Sequence, residues 1–470
     1  MRRWFVLSLF VVSSFSFAQI TYSSAKFGSN MFSNSVAIGD FDRDGHLDVA
    51  SMDGANGLLT IFHGGSGGSL TQTVQYQVPA NLSPAFVQTA DLNGDGILDL
   101  VISKQFTAEL EIWYGNGNAT FALNQVLPIN TPSPDFALGD VNGDGSVDIV
   151  TSQSDDTSAL VVVYVNGGNG TFTKGTTIDA SVNRIQRFAT GDFNRDGKLD
   201  VLLSSGSALL MYPGKGDGTF AAPVSSAITA SQGSIAVGSF NRDSNLDVAL
   251  RTVSCSTCSN DKILIYLNNG SGHFSLATTI FAGKGSGFDG MAAGDLNNDG
   301  VMDLVIANRA AGNNATSNPV QYLVNDGTGH FGAAQTVLAT SLAPWLPVLR
   351  HFNRDSQLDI LVPAGPVYRF LAQNATTNCT PPSPANLNAH ICTPAANTTI
   401  SRTFTVRAAG DSPAGVVRME LWVDGKKVFE NWGDQLKRTI TVAAGTHRVT
   451  IHSIDRYKGF GSVTENVAAK

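Results

Sequence analysis

Short apolar runs separated by acidic or glycine-rich turns fill the chain from about residue 20 to residue 372. Ser35-Val36-Ala37-Ile38 and Asp48-Val49-Ala50 flank the first acidic turn. Each run is too short for a helix and rich in residues that suit strands. The stretch Gly39-Asp40-Phe41-Asp42-Arg43-Asp44-Gly45-His46-Leu47-Asp48-Val49 then recurs, with its first acidic position at Asp91, Asp140, Asp192, Ser239, Asp295 and His351. The intervals run from 47 to 56 residues, the length of a four-stranded unit. Seven copies at that spacing predict seven propeller blades over residues 19–372.

A second marker follows each of several acidic turns. Trp113 to Phe121, Tyr212 to Phe220, Tyr266 to Phe274 and Tyr322 to Phe331 each read as an aromatic strand end, an Asn/Gly turn and a Phe opening the next strand. That is a hairpin whose turn needs positive φ. After the seventh acidic turn, Leu358 to Val362 and Pro366 to Leu371 form strands, but no Gly-turn-Phe strand comes after them. The missing outer strand has a candidate at the other end of the chain, Ile20 to Phe27, which would close the ring and remove a free edge.

Beyond Leu371 the repeat stops. Residues 373–395, with Pro381, Pro382 and Pro384, read as a stiffened linker. From 396 to 470 the runs Phe404 to Arg407, Val417 to Val423, Arg438 to Val442 and His447 to Ile451 alternate apolar and polar, with Asp424-Gly425 as a hairpin turn. This predicts a half-buried β-sandwich. The expected fold is thus all-β: a seven-bladed propeller followed by a small Ig-like sandwich.

Composition narrows the function. Of 470 residues, 42% are hydrophobic, 14% are charged and 48 are glycine, which excludes a charge-driven disordered chain or a long coiled coil. The net charge is −8 without a basic run, so nucleic acid is not an expected partner. Met1-Arg2-Arg3, an apolar stretch to Phe17 and small residues at Ser16 and Ala18 form a secretory signal over 1–18. The expected protein is secreted, extracellular or at the cell surface, or else periplasmic, with no membrane span once the signal is cut. Export permits oxidation, and Cys255 with Cys258 and Cys379 with Cys392 are expected as local disulfides. A zinc or redox site at Cys255 and Cys258 would want further ligands at zinc spacing or a βαβ pattern, and neither is present.

The acidic turns carry the candidate chemistry. Their core, Asp-x-Asp/Asn-x-Asp-Gly-x-x-Asp, sets oxygen side chains at positions 1, 3, 5 and 9, with a backbone carbonyl at position 7 and a turn glycine at position 6. Such hard oxygens suit calcium, which takes six to eight of them. The expected ligand sets are Asp40, Asp42, Asp44, the His46 carbonyl and Asp48; Asp91, Asn93, Asp95, the Ile97 carbonyl and Asp99; and Asp140, Asn142, Asp144, the Ser146 carbonyl and Asp148. Two more are Asp192, Asn194, Asp196, the Lys198 carbonyl and Asp200, and Asp295, Asn297, Asp299, the Val301 carbonyl and Asp303. About five structural ions would bring the charge of the cleaved chain, −10 without Arg2 and Arg3, close to zero. An EF-hand would need a carboxylate at position 12, where this chain has Ser51, Ile102, Thr151, Leu203 and Ile306. The copies at Ser239–Asp247 and His351–Asp359 lose the first carboxylate and carry Ser for the turn glycine, so weak or no calcium is expected there.

These turns, together with Gly216-Asp217-Gly218-Thr219-Phe220 and Phe331-Gly332, resemble the FG-GAP/VCBS repeats of integrin-alpha-like propellers over residues 20–372. Leu421 to Lys426 and Ala444 to His447 resemble bacterial Ig-like domains. The resemblance implies a calcium-stapled propeller in extracellular adhesion or ligand binding, with a glycan or protein as partner. The alternative is a polysaccharide-active enzyme, a lyase or hydrolase with its site in inter-blade loops. Asp155, Asp156 and Asp289 are its free carboxylates, since glycoside hydrolysis needs a pair. No nucleophile elbow is present, so no catalytic residue is assigned. His273 and His330 match the hairpin threonines of sister blades, whereas His63, His351 and His390 receive no role.

Overall fold

The computed structural model describes residues 20–28, 33–78, 86–104, 108–129, 135–154, 159–182, 185, 187–228, 232–252, 261–283, 290–308, 318–340, 344–355, 357–372, 379, 382, 387–412, 416–432, 434–455 and 459–470. Seven four-stranded antiparallel sheets are present, followed by a three-stranded and a five-stranded sheet. Blade 1 runs through Ser33–Gly39, Asp48–Asp53, Leu58–Gly65 and Ser69–Gln77 in that order. Blades 2 to 6 repeat this meander. The first strands of successive blades lie against one another and form the inner ring.

Burial explains why each strand sits where it does. The second strands Asp48–Asp53, Asp99–Lys104 and Asp247–Thr252 are buried at every position, polar side chains included, because both faces of the strand are covered. Outer strands such as Phe172–Asp179 are exposed at most positions. The hydrophobic core is a ring of interfaces: Ala50, Met52 and Ile61 of blade 1 pack on Leu100, Ile102 and Trp113 of blade 2, and each neighbouring pair repeats the arrangement.

The Gly-turn-Phe marker proves to be an inter-blade contact. Phe41 at position 2 of the first acidic turn meets Phe121 of blade 2 edge to face at 5.2 Å, and Phe193 with Phe274 and Phe240 with Phe331 repeat the pair at 5.9 and 5.8 Å. Beside it, buried Asn268 of blade 5 donates through Nδ2 to the Phe193 carbonyl of blade 4 at 2.7 Å and to the Leu246 carbonyl at 3.1 Å. Its Oδ1 accepts the Gly270 and Gly272 N–H groups. Asn166 and Asn325 make the same bridge to Leu92 and Phe240. In blades 2 and 4 a backbone N–H, of Ala119 or Gly218, takes over the bond.

The ring closes as the repeat phase requires. Tyr22–Phe27 pairs antiparallel with Val367–Ala372, completing the blade of Val348–Arg350 and Asp359–Pro363. Ile20 donates its N–H to Tyr322 Oη at 2.9 Å, and that hydroxyl donates back to the Ile20 carbonyl at 3.2 Å.

The sandwich pairs a sheet of Asn388–Thr393, Thr403–Asp411 and Gln435–Thr441 with one containing Thr398–Ile400, Val416–Val423, Lys426–Trp432, Gly445–Asp455 and Phe460–Ala469. Val406, Met419, Leu421 and Ile451 fill the space between. It begins at Asn388, inside the stretch expected as linker. That strand buries Ala389 and Ile391 and pairs with Thr403–Asp411, but it is short and followed by Pro394. A Cys379–Cys392 disulfide ties it to the preceding segment. Cys255, Cys258 and the signal segment lie outside the described residues.

Asn268 satisfies four backbone groups at once, so Asn268→Ala is expected to lower unfolding free energy by about 2–3 kcal/mol, the cost of stranding buried polar groups. The urea midpoint measures it. A loss below about 0.5 kcal/mol would show that the bridge carries no weight.

Candidate metal loops

Each acidic turn joins the first two strands of its blade, so all seven lie at the same end of the ring. Position 4 is left-handed in all seven loops, and position 6 in the six where it is described. Position 4 holds Arg43, Gly94, Gly143, Arg195, Arg242, Asn298 and Arg354, with φ between 58° and 77°. Position 6 is glycine in the five full loops, with φ between 78° and 86°. Ser244 takes φ 66° at position 6 of the fifth loop, a strain on the order of 1 kcal/mol for a residue with a Cβ.

This path wraps the backbone around the position-1 carboxylate. Asp91 accepts the Gly94 and Gly96 N–H groups at 2.8 Å each, and Asp192 accepts those of Asp196 and Gly197 at 3.1 and 3.0 Å. Asp40, Asp140 and Asp295 do the same. Position 5 accepts the N–H of position 7, as Asp95 does from Ile97 and Asp144 from Ser146, both at 2.7 Å. Asn93, Asn142, Asn194 and Asn297 at position 3 donate to the position-5 carboxylate. In the first loop, ligand oxygens of Asp40, Asp42 and Asp48 all lie within 4.8 Å of one another.

Position 9 does more than the sequence reading gave it. Asp48, Asp99, Asp148, Asp200, Asp247, Asp303 and Asp359 are all 0% exposed. One oxygen of each accepts the position-2 N–H, from Phe41 at 2.8 Å in blade 1 and from Phe240 at 2.8 Å in blade 5. The other accepts an N–H at the end of the third strand or just past it, from Gly64, Gly115, Asn166, Gly214, Asn268, Asn325 or Ala372. The bond is present even in the two loops that lack the first carboxylate. Each acceptor oxygen has a second lone pair, so this role and metal ligation are compatible. The signal was in the sequence: Asp247 and Asp359 persist where position 1 is lost.

Burial dominates the electrostatics of this residue and pushes Asp99 up to about 7 and Asp148 and Asp200 up to about 6, against the lowering effect of their backbone bonds. The neighbouring loop carboxylates, Asp95 and Asp91, Asp144 and Asp140, Asp192 and Asp196, raise them further.

His63 also finds its place here. It ends the third strand of blade 1, with Nδ1 2.8 Å from Asp42 Oδ2 and 3.5 Å from Asp48 Oδ1. Arg43 reaches from the first loop to the Asp95 carbonyl of the second at 3.2 Å, while Arg195 of the fourth turns instead to Glu430 of the sandwich. Asp155, Asp156 and Asp289 lie outside the described residues. The five loops with the full oxygen set and the two that lack the first carboxylate follow the same path at position 4; carboxylate content distinguishes them.

Comparison with known proteins agrees with the repeat architecture and the second domain. The FG-GAP-like repeat matches at residues 40–102, 140–203, 192–250 and 253–306, and the bacterial Ig domain at 388–451. No curated protein sequence matches the chain. Among solved structures, an Agrocybe aegerita lectin that recognises non-reducing terminal N-acetylglucosamine aligns at 19% identity and TM-score 0.47, over 65% of this chain and 80% of its own. A Lactobacillus plantarum protein aligns at 12% and TM-score 0.45, over 73% of this chain and 89% of its own. The Photorhabdus luminescens Tc holotoxin pore aligns at 12% and TM-score 0.34, over 86% of this chain, which spans 22% of that one. With four repeat matches set on the acidic loops, seven blades around one ring and a matched domain behind them, the chain is an FG-GAP-repeat β-propeller protein with a C-terminal bacterial Ig domain.

Proposed function

We propose that this protein is an exported calcium-binding propeller that serves outside the cytoplasm as an adhesion or ligand-binding module for a glycan or a protein, with calcium structural. One observation carries the calcium assignment. In blades 2, 3 and 4 a fully buried carboxylate has as its charged neighbours two more carboxylates of the same nine-residue loop. Such a group is costly unless a cation joins it. The donors are all oxygen, which suits calcium over softer metals.

Calcium would be held by the side chains at positions 1, 3, 5 and 9 and the position-7 carbonyl in the loops beginning at Asp40, Asp91, Asp140, Asp192 and Asp295. Bound there, it would supply positive charge that pins the loop without taking part in a reaction. The loops beginning at Ser239 and His351 would stay metal-free. Gly94 to Gly96 and Gly143 to Gly145 are exposed on the loop end of the ring, where a stiffened rim suits recognition of an extended partner.

Excess EDTA followed by millimolar calcium is expected to raise the melting temperature of the cleaved protein, with about five ions bound per chain. Asp140→Asn should remove one ion. Asp247→Asn should destabilise the protein equally with and without calcium, since its loop is a staple alone. Absence of both bound calcium and a thermal shift would sink the metal assignment. A glycan and extracellular-protein array probed in calcium tests the ligand reading, and retention of nothing on either panel counts against it.

The pH dependence has a definite sign. Carboxylates raised in the folded state favour folding in acid, and that contribution is lost as pH rises through about 6 to 7. In EDTA the melting temperature should therefore fall between pH 5 and pH 8. Calcium displaces those protons, so the calcium-induced rise should grow over the same range, and a rise that shrinks with pH would contradict the scheme.

A further inference from the structure

The seventh loop departs from its sisters in a way the sandwich explains. His351 stands at position 1, fully enclosed, where full loops place an aspartate. Its Nδ1 lies 2.7 Å from the carbonyl of Gln357, the position-7 carbonyl that would ligate an ion in a full loop. Its Nε2 lies 2.7 Å from Asp434 Oδ2, in the sandwich. A carbonyl and a carboxylate both only accept, so the imidazolium is the form of the ring that matches both neighbours. Burial works against that charge, but Asp434, Asp411 and Asp359 outweigh it and hold the pKa at about 10. Arg350 and Asp411 complete the charged surroundings.

Other contacts between the domains gather on the same side. Arg195 of the fourth loop meets Glu430 at 2.5 Å. A cavity of about 160 Å³ separates Arg242, Ser244 and Asp299 of the fifth and sixth loops from Phe429, Lys437 and Arg438. That seam mixes polar and apolar side chains, Met302 and Phe429 among them, and is incompletely filled, so the ion pairs stand out among the contacts that join the domains. Residues 351–355 of the seventh loop include no exposed position, in contrast to Gly94 to Gly96 and Gly143 to Gly145.

We infer that the seventh acidic loop is the dock for the C-terminal sandwich: the His351 imidazolium occupies the role of the metal ion, and Asp434 of the sandwich supplies the carboxylate that position 1 lacks. The comparison with an ion rests on the calcium reading; the docking pair stands without it. The partner of the fourth to seventh loops is thus the chain's own second domain.

The test uses the full cleaved chain, as wild type, His351→Ala, Asp434→Asn and the double variant, each in EDTA and in calcium. Limited proteolysis between residues 373 and 387 and the radius of gyration by solution scattering report docking. Each single variant is expected to speed cleavage about tenfold or more and to enlarge the particle, because each leaves one member of the His351–Asp434 pair without its partner. The double variant should be no looser than the worse single one. Unchanged cleavage and scattering in both single variants would overturn the dock, as would a sixth calcium ion assigned to the seventh loop of the wild type. Should His351→Ala fail to fold, Asp434→Asn decides alone, since its side chain sits at the sandwich rim. Loosening in the variants of a protein that binds no calcium would support the dock while rejecting the calcium reading.

Discussion

A buried aspartate that accepts two backbone N–H groups is the bond on which the propeller is built. At position 9 of every acidic loop it ties the loop's start to the end of the third strand, and so fixes the width of each blade at one end. Carboxylate bonds to backbone N–H groups are among the stronger protein hydrogen bonds. This one seats position 2, whose side chain then meets the next blade. The inter-blade aromatic pairs and the asparagine bridges follow from that placement.

This separates two jobs that the loop sequence merges. The staple needs position 9 alone, whereas an ion needs positions 1, 3 and 5 as well. The fifth loop keeps the turn with Ser239 at its head, because Asn241 and Asp243 still bind one another and the Phe240 N–H still reaches Asp247. Loss of the first carboxylate therefore leaves the blade intact and frees its loop for another partner.

Much of this was legible in the sequence because repetition turns weak local signals into a count. Blade number, the closing strand at Tyr22–Phe27 and the sandwich all follow from period and alternation. What was not legible depends on neighbours distant in sequence. Asn166 reads as a turn residue, yet its amide serves the carbonyl of Leu92, 74 positions earlier. His63 and His351 acquire partners only once strands and domains are placed. Asn388–Thr393 reads as linker because a short strand beside a proline has too few alternations to announce itself.

The closing strand has a consequence for assembly. Tyr22–Phe27 precedes every other propeller strand in sequence and pairs with Val367–Ala372, the last of them. Contacts so far apart in sequence are slow to form, since a long loop must be closed before they repay its entropy. Until then the seventh blade has an open edge, and Tyr322 waits for Ile20, 302 positions away. Six blades can stack in order of synthesis, but the ring becomes a ring only when its oldest segment meets its newest.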